Sequence, residues 1–429
     1  MTPLNPLRKL DSENVWKKND ALVLFGELFQ RGYANGLVEE AEKHQMQVIK
    51  GTVGRREKDE LRPLNAEELA LVQGPIINVP LEAGFDMDKT SKGISPVDML
   101  KDIKLSAWEE AKLDFSAIEE CRKNGVVRFK KQLALYVAEL EKHIVPGRNF
   151  LLAHLMAGGV PRAKIIMPLM NRVFKGTGDR YLESEKFWTS DLGRLCQLNF
   201  IEVTAETYRH FIEGTAGFRE KVKQAGGHVS YLAYGYHGTE ILIDGQLKWQ
   251  TYTPYLQGWA KMKLEDISKS FFNQGIASCV YNCPEILTNS SSIFQGVEVS
   301  LYPLIHMLDT ENPTIAKQVR SQCQSLLKAG KTLDDVFDVM KKYYAEPEII
   351  AMNREFARWP MQSTRTQMEI MLKCSDDVFE LHETPKQLIT SVLSEVVFKS
   401  CGRIMLNDSL KPASPARWIG HDAVAKYYH

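Results

Sequence analysis

The sequence lacks an excess of charge of either sign and lacks any long apolar run. Its 429 residues include 54 lysines and arginines and 54 aspartates and glutamates, so the formal net charge is zero. A chain with balanced charge has no long-range attraction to nucleic acid or to an anionic membrane surface. No stretch reaches the roughly 18 apolar residues of a membrane-spanning helix, and the first ten residues contain no apolar signal region. We therefore expect no nucleic-acid partner and no membrane insertion.

Paired cysteine spacings are also missing. The seven cysteines are scattered, and Cys279 with Cys283 is the nearest approach to a motif. A zinc site or a disulfide framework needs several short paired spacings, so we expect no metal ion and no disulfide framework. Dispersed thiols fit a reducing compartment, and the predicted location is therefore the cytoplasm.

The first ordered pattern is an apolar run at residues 21–25 that ends at a glycine. A helix-like stretch at 37–44 and a strand-like run at 46–49 follow. Strand, glycine turn, helix and strand in this order predict the opening of a dinucleotide-binding fold, in which backbone N–H groups at the helix N-terminus face the pyrophosphate. The spacing departs from G-x-G-x-x-G, so a parallel α/β protein without a cofactor is the alternative. The residues of the turn expected to bind the cofactor are Gly26, Arg31, Gly32 and Tyr33.

Two adjacent arginines follow the second strand. Arg55 and Arg56 stand where many dinucleotide folds carry an acidic residue for the ribose 2′-hydroxyl. Guanidinium groups can clamp a phosphate with two hydrogen bonds, so the pair favours NADPH over NADH. A basic turn in contact with solvent is the alternative. With Thr52, these arginines complete the predicted ribose end of the cofactor site.

Further apolar runs predict a large α/β domain. They lie at residues 75–80, 149–154, 229–234 and 275–282. We expect a Rossmann-like, doubly wound parallel sheet over residues 1–310, with insertions at about 86–148 and 163–190 and an elaborated loop over the site at 167–188. Residues 311–429 are predicted to form a mainly helical region packed on the same domain. The loops after the third and fourth strands would contribute Glu82, Ala83, Met156 and Ala157 to the cofactor site.

A cluster of tyrosines, one histidine and one lysine follows the fifth strand. Reduction of an alkene conjugated to a carbonyl needs a positioned hydride donor, a group that stabilises the enolate oxygen, and a proton source. A tyrosine hydroxyl serves the last two purposes if a nearby cation lowers its pKa. The spacing allows three such pairs: Tyr252 with Lys261, Tyr255 with Lys261, and Tyr255 with Lys263.

One arrangement within this cluster resembles a known family. The run Tyr234-Gly-Tyr-His-Gly-Thr-Glu240 is followed by Trp249-x-x-Tyr252-x8-Lys261. It is similar to the Tyr-Ser-Tyr-Ile-Gly-Pro-Glu…Trp-x-x-Tyr-x8-Lys signature of FabV-type enoyl-acyl carrier protein reductases and trans-2-enoyl-CoA reductases, large relatives of the short-chain dehydrogenases. The loops at 155–162 and 286–293 also resemble that family, and the order of elements agrees over roughly residues 20–310.

The resemblance implies roles for individual residues. Tyr252 would be the proton donor or enolate stabiliser, Lys261 the cation that binds the nicotinamide ribose, and Tyr236 a second phenol facing the substrate. Tyr255 is the alternative phenol at the substrate. The nicotinamide would be lined by Ile286, Leu287 and Thr288.

The chain also departs from the FabV pattern. His237 stands where that family has an apolar residue, Arg55-Arg56 replaces an expected acid, and the link from Glu240 to Trp249 is longer, with a hairpin predicted at Asp244-Gly245. The divergent FabMG-type group of enoyl reductases is a second candidate relative, although no motif distinguishes it here.

The leading hypothesis is an enzyme that uses NAD(P)H to reduce the α,β double bond of an enoyl thioester, on acyl carrier protein or coenzyme A, in fatty acid synthesis. A nicotinamide-dependent ketone or alcohol oxidoreductase is the alternative enzyme. A non-catalytic dinucleotide-binding protein is the alternative outside enzymology. We expect a monomer or a small homo-oligomer.

Overall fold

The fold is built on a seven-stranded sheet in which neighbouring strands are parallel. The computed structural model describes residues 5–10, 16–57, 60–250, 256–288, 296–354, 360–361 and 363–429. The strands, in chain order, are β1 (Ala21–Glu27), β2 (Gln47–Thr52), β3 (Arg55–Glu57), β4 (Glu60–Arg62), β5 (Ile76–Pro80), β6 (Phe150–His154), β7 (Val229–Gly235), β8 (Thr239–Ile243), β9 (Gln246–Gln250), β10 (Ser278–Asn282) and β11 (Ala416–Trp418). The order across the large sheet is β11-β10-β7-β6-β1-β2-β5.

Helices cover both faces of this sheet. Along β1, Leu22 and Leu24 belong to one hydrophobic core, whereas Val23 and Phe25 belong to the other. Such a strand is apolar throughout because successive side chains enter opposite cores. The predicted doubly wound α/β fold is therefore confirmed.

The helices account for most of the remaining chain. They are α1 (Tyr33–Lys43), α2 (Ala66–Ala70), α3 (Pro96–Leu100), α4 (Phe115–Glu141), α5 (Ile166–Lys175), α6 (Ser184–Trp188), α7 (Asp191–Ile201), α8 (Thr207–Gly214), α9 (Ala216–Gln224), α10 (Ala260–Phe272), α11 (Leu304–Glu311), α12 (Pro313–Gln324), α13 (Leu333–Ala345), α14 (Pro347–Arg354), α15 (Arg365–Glu380), α16 (Ile389–Ser409) and α17 (His421–Tyr427). A π-helical turn, Glu202–Glu206, joins α7 to α8. No helix in the described part of the chain is long and apolar enough to cross a membrane.

Two antiparallel hairpins lie outside the large sheet. Strands β8 and β9 turn at Asp244 and Gly245, whose φ angles of 50° and 72° suit a two-residue hairpin turn, so this predicted hairpin is confirmed. Strands β3 and β4 form a second hairpin that begins at Arg55. The basic turn that was the alternative interpretation of this segment is thus a strand.

The prediction of an elaborated loop at residues 167–188 is wrong, because most of that segment is helical. Ile166, Leu169, Met170 and Val173 are buried on one face of α5. Their spacing is that of an amphipathic helix.

The C-terminal region is joined closely to the large sheet. Strand β11 pairs with β10, and α16 packs against α1 with the two backbones in contact. A Cβ atom on Gly402 would lie 2.1 Å from the carbonyl carbon of Gly36, so both positions require glycine for this approach. The division of the chain at residue 310 remains a prediction.

Candidate active site

The parallel strands all present their carboxyl ends at one edge of the sheet. In open α/β sheets this edge is where ligands bind, because the loops that follow the strands open there. The described residues predicted to hold the cofactor lie at or after the ends of β1, β2, β5, β6 and β10, and Tyr236, one of the predicted catalytic residues, follows β7. The fold therefore brings Tyr236 to the same edge as these residues.

A cavity of about 280 Å³ lies where β1, β2, β5 and β6 end. Five of the predicted cofactor residues line it, namely Arg56, Glu82, Ala83, Met156 and Ala157. Gly26, with a φ angle of 122°, lies against Leu155 and Met156 behind them. The cavity has the position expected for the adenosine half of a dinucleotide.

Glu27, which the sequence analysis did not single out, organises one wall of this cavity. Its carboxylate accepts hydrogen bonds from Thr52 Oγ1 at 2.9 Å and from both terminal nitrogens of Arg55 at 2.9 Å each. Burial opposes ionisation of Glu27, but the hydrogen bonds from Arg55 and Thr52 outweigh it and lower its pKa. Arg55 is therefore bound to a carboxylate at the place where a 2′-phosphate was predicted.

Arg56, which also lines the cavity, makes a similar contact. Its Nε donates to Glu82 Oε2 at 2.9 Å, and Arg162 donates to the other oxygen of the same carboxylate. Burial, followed by the charge of Arg56, lowers the pKa of Arg162. One carboxylate thus sits between two guanidinium groups at the cavity.

Asn199 ties together the two loops that border the cavity, and it was also missed. Its Oδ1 accepts from the backbone N–H of Phe85 at 3.0 Å, and its Nδ2 donates to the carbonyl of Gly159 at 2.7 Å. Asn199 lies on α7, more than thirty residues from either loop. No local pattern reveals such a bridge.

The turn after β1 reaches across to the end of β10. Arg31 has a left-handed φ of 59°, and Gly32 caps α1 in an extended conformation. Tyr33 then donates a hydrogen bond to the carbonyl of Pro284 and stacks on Tyr234 with ring centroids 5.9 Å apart. The predicted cofactor turn is therefore in contact with the predicted catalytic segment.

Lys261 is held at the end of β7. Its ammonium donates to the carbonyl of Tyr234 at 2.7 Å, and burial lowers its pKa to about 8. His154 lies at the end of β6. Burial lowers the His154 pKa well below its ordinary value, and the positive charge of Lys261 lowers it further. The Lys261 ammonium thus lies at the end of β7 and acts electrostatically on the end of β6.

Tyr236 and Glu285 form a pair that joins the segment after β7 to the segment after β10. The Tyr236 hydroxyl donates to the Glu285 carboxyl, and that side chain is only 3% exposed. Burial raises the Glu285 pKa to about 8, although the hydrogen bonds from Tyr236 and the Ile286 N–H oppose the rise. Glu285 directly precedes the predicted nicotinamide loop, yet it was not predicted as a site residue.

The loop that begins at Ile286 is partly described. Ile286 is buried, the Leu287 N–H donates to Ser394 Oγ at 2.7 Å, and Thr288 is the last described residue of the loop. Tyr252 and Tyr255 lie outside the described residues, so their predicted roles stay predictions. In the described ranges, no cluster of side chains has the composition of a metal site.

Comparison with known proteins identifies the family. The model of the family described as enoyl-acyl carrier protein reductase FabMG matches residues 3–428. A solved structure described as apo FabMG, a novel type of enoyl-acyl carrier protein reductase, is 46% identical over 100% of this chain and 98% of its own, with a TM-score of 0.95. An NADH-bound FabMG structure is 39% identical over 100% of this chain and 99% of its own, with a TM-score of 0.79.

A comparison with curated protein sequences gives no match. The FabMG group was the second candidate relative in the sequence analysis, and the match covers nearly the whole chain. It confirms the predicted NAD(P)H-dependent enoyl reductase. With its Rossmann-like sheet, and with Lys261 and Tyr236 at the edge where a dinucleotide would bind, the chain belongs to the FabMG family of enoyl-acyl carrier protein reductases.

Proposed function

We propose that this chain reduces the α,β double bond of an enoyl group carried on acyl carrier protein, and that Lys261 and Tyr236 belong to the reacting end of the site. The observation that carries the assignment is the placement of Lys261, Tyr236 and Glu285 at the ends of β6, β7 and β10. The cavity lined by the predicted cofactor residues lies at the neighbouring ends of β1, β2, β5 and β6. A dinucleotide that extends along the edge would reach from one set to the other.

The residues at the cavity fit a nicotinamide dinucleotide. Gly32 starts α1 at this edge, so the N-terminal end of the helix, which favours negative charge, faces the place expected for a pyrophosphate. Carboxylates at Glu27 and Glu82 are acceptors for ribose hydroxyls. When bound, the nicotinamide supplies the hydride that adds to the β carbon.

The chain itself must stabilise the enolate oxygen and deliver a proton to the α carbon. Because of the family resemblance, we assign stabilisation of the enolate oxygen to Tyr252. Tyr236 provides a second hydroxyl on the substrate side. The Lys261 charge favours a developing phenolate or enolate nearby. Because burial holds the Lys261 pKa at about 8, the charge is present at neutral pH.

For the cofactor, we propose NADH. The two arginines predicted a preference for NADPH, and that preference stays a prediction. The contacts of the arginines favour NADH. Arg55 is paired with Glu27, and Arg56 with Glu82. A 2′-phosphate would have to displace a carboxylate from a guanidinium and would face two negative charges at the cavity wall.

The carrier and the compartment complete the proposal. The family acts on acyl carrier protein thioesters, and we propose the same substrate here. Each of the seven cysteines is a buried thiol and none forms a disulfide, which supports the predicted cytoplasmic location. The predicted monomer or small homo-oligomer is retained.

The test is oxidation of NADH followed by its absorbance with three substrates: crotonyl-acyl carrier protein, crotonyl-CoA and a panel of ketones. We expect the highest kcat/KM with the carrier-protein thioester. Reduction of ketones without reduction of the enoyl thioesters would contradict the proposed substrate. Binding of NADH without turnover of any of them would contradict an enzymatic role.

A further inference from the structure

A closed ring of three buried side chains lies behind the catalytic segment. His237 Nδ1 is 2.8 Å from Glu265 Oε1, and the Asn282 side-chain amide donates to the same oxygen at 2.9 Å. The ring closes where the backbone N–H of His237 donates to Asn282 Oδ1 at 2.9 Å. The exposed fractions of these residues are 4%, 3% and 0% respectively. Polar groups so deeply buried are costly unless they are paired, so the ring is a specific arrangement.

The ring joins three elements at the active-site edge, where the neighbouring strands β7 and β10 end. Asn282 is the last residue of β10, Glu265 lies on α10, and His237 follows β7. Gly235 passes directly over Asn282, because a Cβ atom on Gly235 would lie 2.1 Å from Asn282 Oδ1. The backbone that precedes Tyr236 therefore packs directly against the ring.

Helix α10 contacts this segment on both sides of Tyr236. Lys261 and Glu265 are four residues apart on α10 and so lie on the same face of the helix. Lys261 binds the carbonyl of Tyr234, two residues before Tyr236, and Glu265 binds His237, the residue after it. The segment that carries the Tyr236 phenol is thus held to the helix that carries the Lys261 ammonium.

We infer that Glu265, together with His237 and Asn282, is a positioning group for the reaction, which fixes the Tyr236 phenol relative to the Lys261 ammonium. The inference rests on the proposed function, since it assigns the ring to the same site. It accounts for His237, the histidine that departs from the FabV pattern: its imidazole bridges the catalytic segment to a buried carboxyl group, as an apolar side chain cannot.

The test compares Glu265→Ala with Glu265→Gln. The alanine variant removes the acceptor for both partners, and we expect kcat to fall by roughly 10²-fold, the loss that a misplacement of about 1 Å causes. The glutamine variant keeps an oxygen acceptor in the same place, so it should restore most of the turnover. The dissociation constant for NADH, measured by fluorescence titration, should change little in either variant, because the adenosine half binds at the other end of the edge. Asp266→Asn is the matched control, since Asp266 is the exposed neighbour on the same helix.

The outcomes separate a positioning role from a merely structural one. Unchanged kcat per folded molecule in Glu265→Ala, with only a lower Tm, would overturn the inference. If Glu265→Ala does not fold, His237→Ala is measured instead, because it removes one contact of the ring. We expect a lower kcat with unchanged affinity for NADH. A normal kcat in His237→Ala would also overturn the inference. The proposed function fails separately, when the unaltered enzyme does not oxidise NADH with crotonyl-acyl carrier protein.

Discussion

The hydroxyl of Tyr236 donates a hydrogen bond to Glu285, a carboxyl group that burial keeps protonated to about pH 8. The two residues follow adjacent parallel strands, β7 and β10. A phenol and a neutral carboxyl group in contact form a pair in which both groups carry a proton, at the edge of the sheet that holds the candidate active site. Neither side chain would be recognised as half of a pair without the sheet that places them together.

Glu285 should make the stability of the fold depend on pH. Its pKa rises from 4.5 in the unfolded chain to about 8 in the fold. The unfolded chain therefore releases this proton first, and the free energy of unfolding falls as pH rises from about 4.5 to 8, by up to about 1.4 kcal/mol per pH unit. Glu285→Gln cannot release a proton, so its Tm relative to the unaltered protein should increase over this range. Parallel Tm curves for the two proteins would contradict the raised pKa.

The Lys261 amine should set an upper pH limit on activity. Its pKa is about 8, so its charge is present below that pH and is lost above it. We expect kcat/KM to decline as pH rises through about 8. Lys261→Arg keeps a charge to much higher pH, and its residual activity should lose this decline. Glu285→Gln is measured alongside, because Glu285 titrates in the same range. If the decline persists in Lys261→Arg and disappears in Glu285→Gln, the limit belongs to Glu285.

Tyr252→Phe tests the phenol implied by the family resemblance. Removal of a positioned acid should lower turnover by roughly 10²–10⁴-fold, while NADH binding stays nearly intact. Tyr255→Phe is the matched control three residues away. Near-normal turnover in Tyr252→Phe with a large loss in Tyr255→Phe would transfer the role to Tyr255.

Glu27 should control the choice between NADH and NADPH. Glu27→Gln removes a negative charge from the cavity wall and releases Arg55 from its ion pair. The ratio of kcat/KM for NADPH to that for NADH should therefore increase. The double variant Arg55→Ala with Arg56→Ala provides the comparison: a larger loss with NADPH than with NADH would show that the arginines already bind a 2′-phosphate, contrary to the proposed NADH preference.

The contact between α1 and α16 should tolerate no side chain. Gly402→Ala places a methyl group against the Gly36 backbone, and overpacking of this kind costs about 1–3 kcal/mol. Gly217→Ala is the control, because nothing lies within 4 Å of that position on α9. A fall in Tm for the first variant but not the second is expected. Equal Tm values would show that the two helices can separate without cost.

Local patterns were sufficient for much of the scaffold. The apolar runs that became β1, β6, β7 and β10 are continuous because both faces of these parallel strands are buried, and such runs are visible in the sequence. The turn at Asp244-Gly245 was predictable because a two-residue hairpin needs positive φ angles. Strand β11 was not predictable, since three residues carry too little periodicity and pair with a strand more than 130 positions earlier.

The sequence by itself therefore determined the α/β class and the edge at which a dinucleotide would bind, both of which rest on residues close along the chain. The candidacy of Lys261 and Tyr236 came from their resemblance to the FabV signature. Only the tertiary structure decided which charges meet. Glu27 neutralises Arg55 from another strand, Glu285 faces Tyr236, and Glu265 reaches His237. These contacts span 28 or more residues, and burial then sets their strength, so neither the partner nor its effect on a pKa can be derived from spacing along the chain.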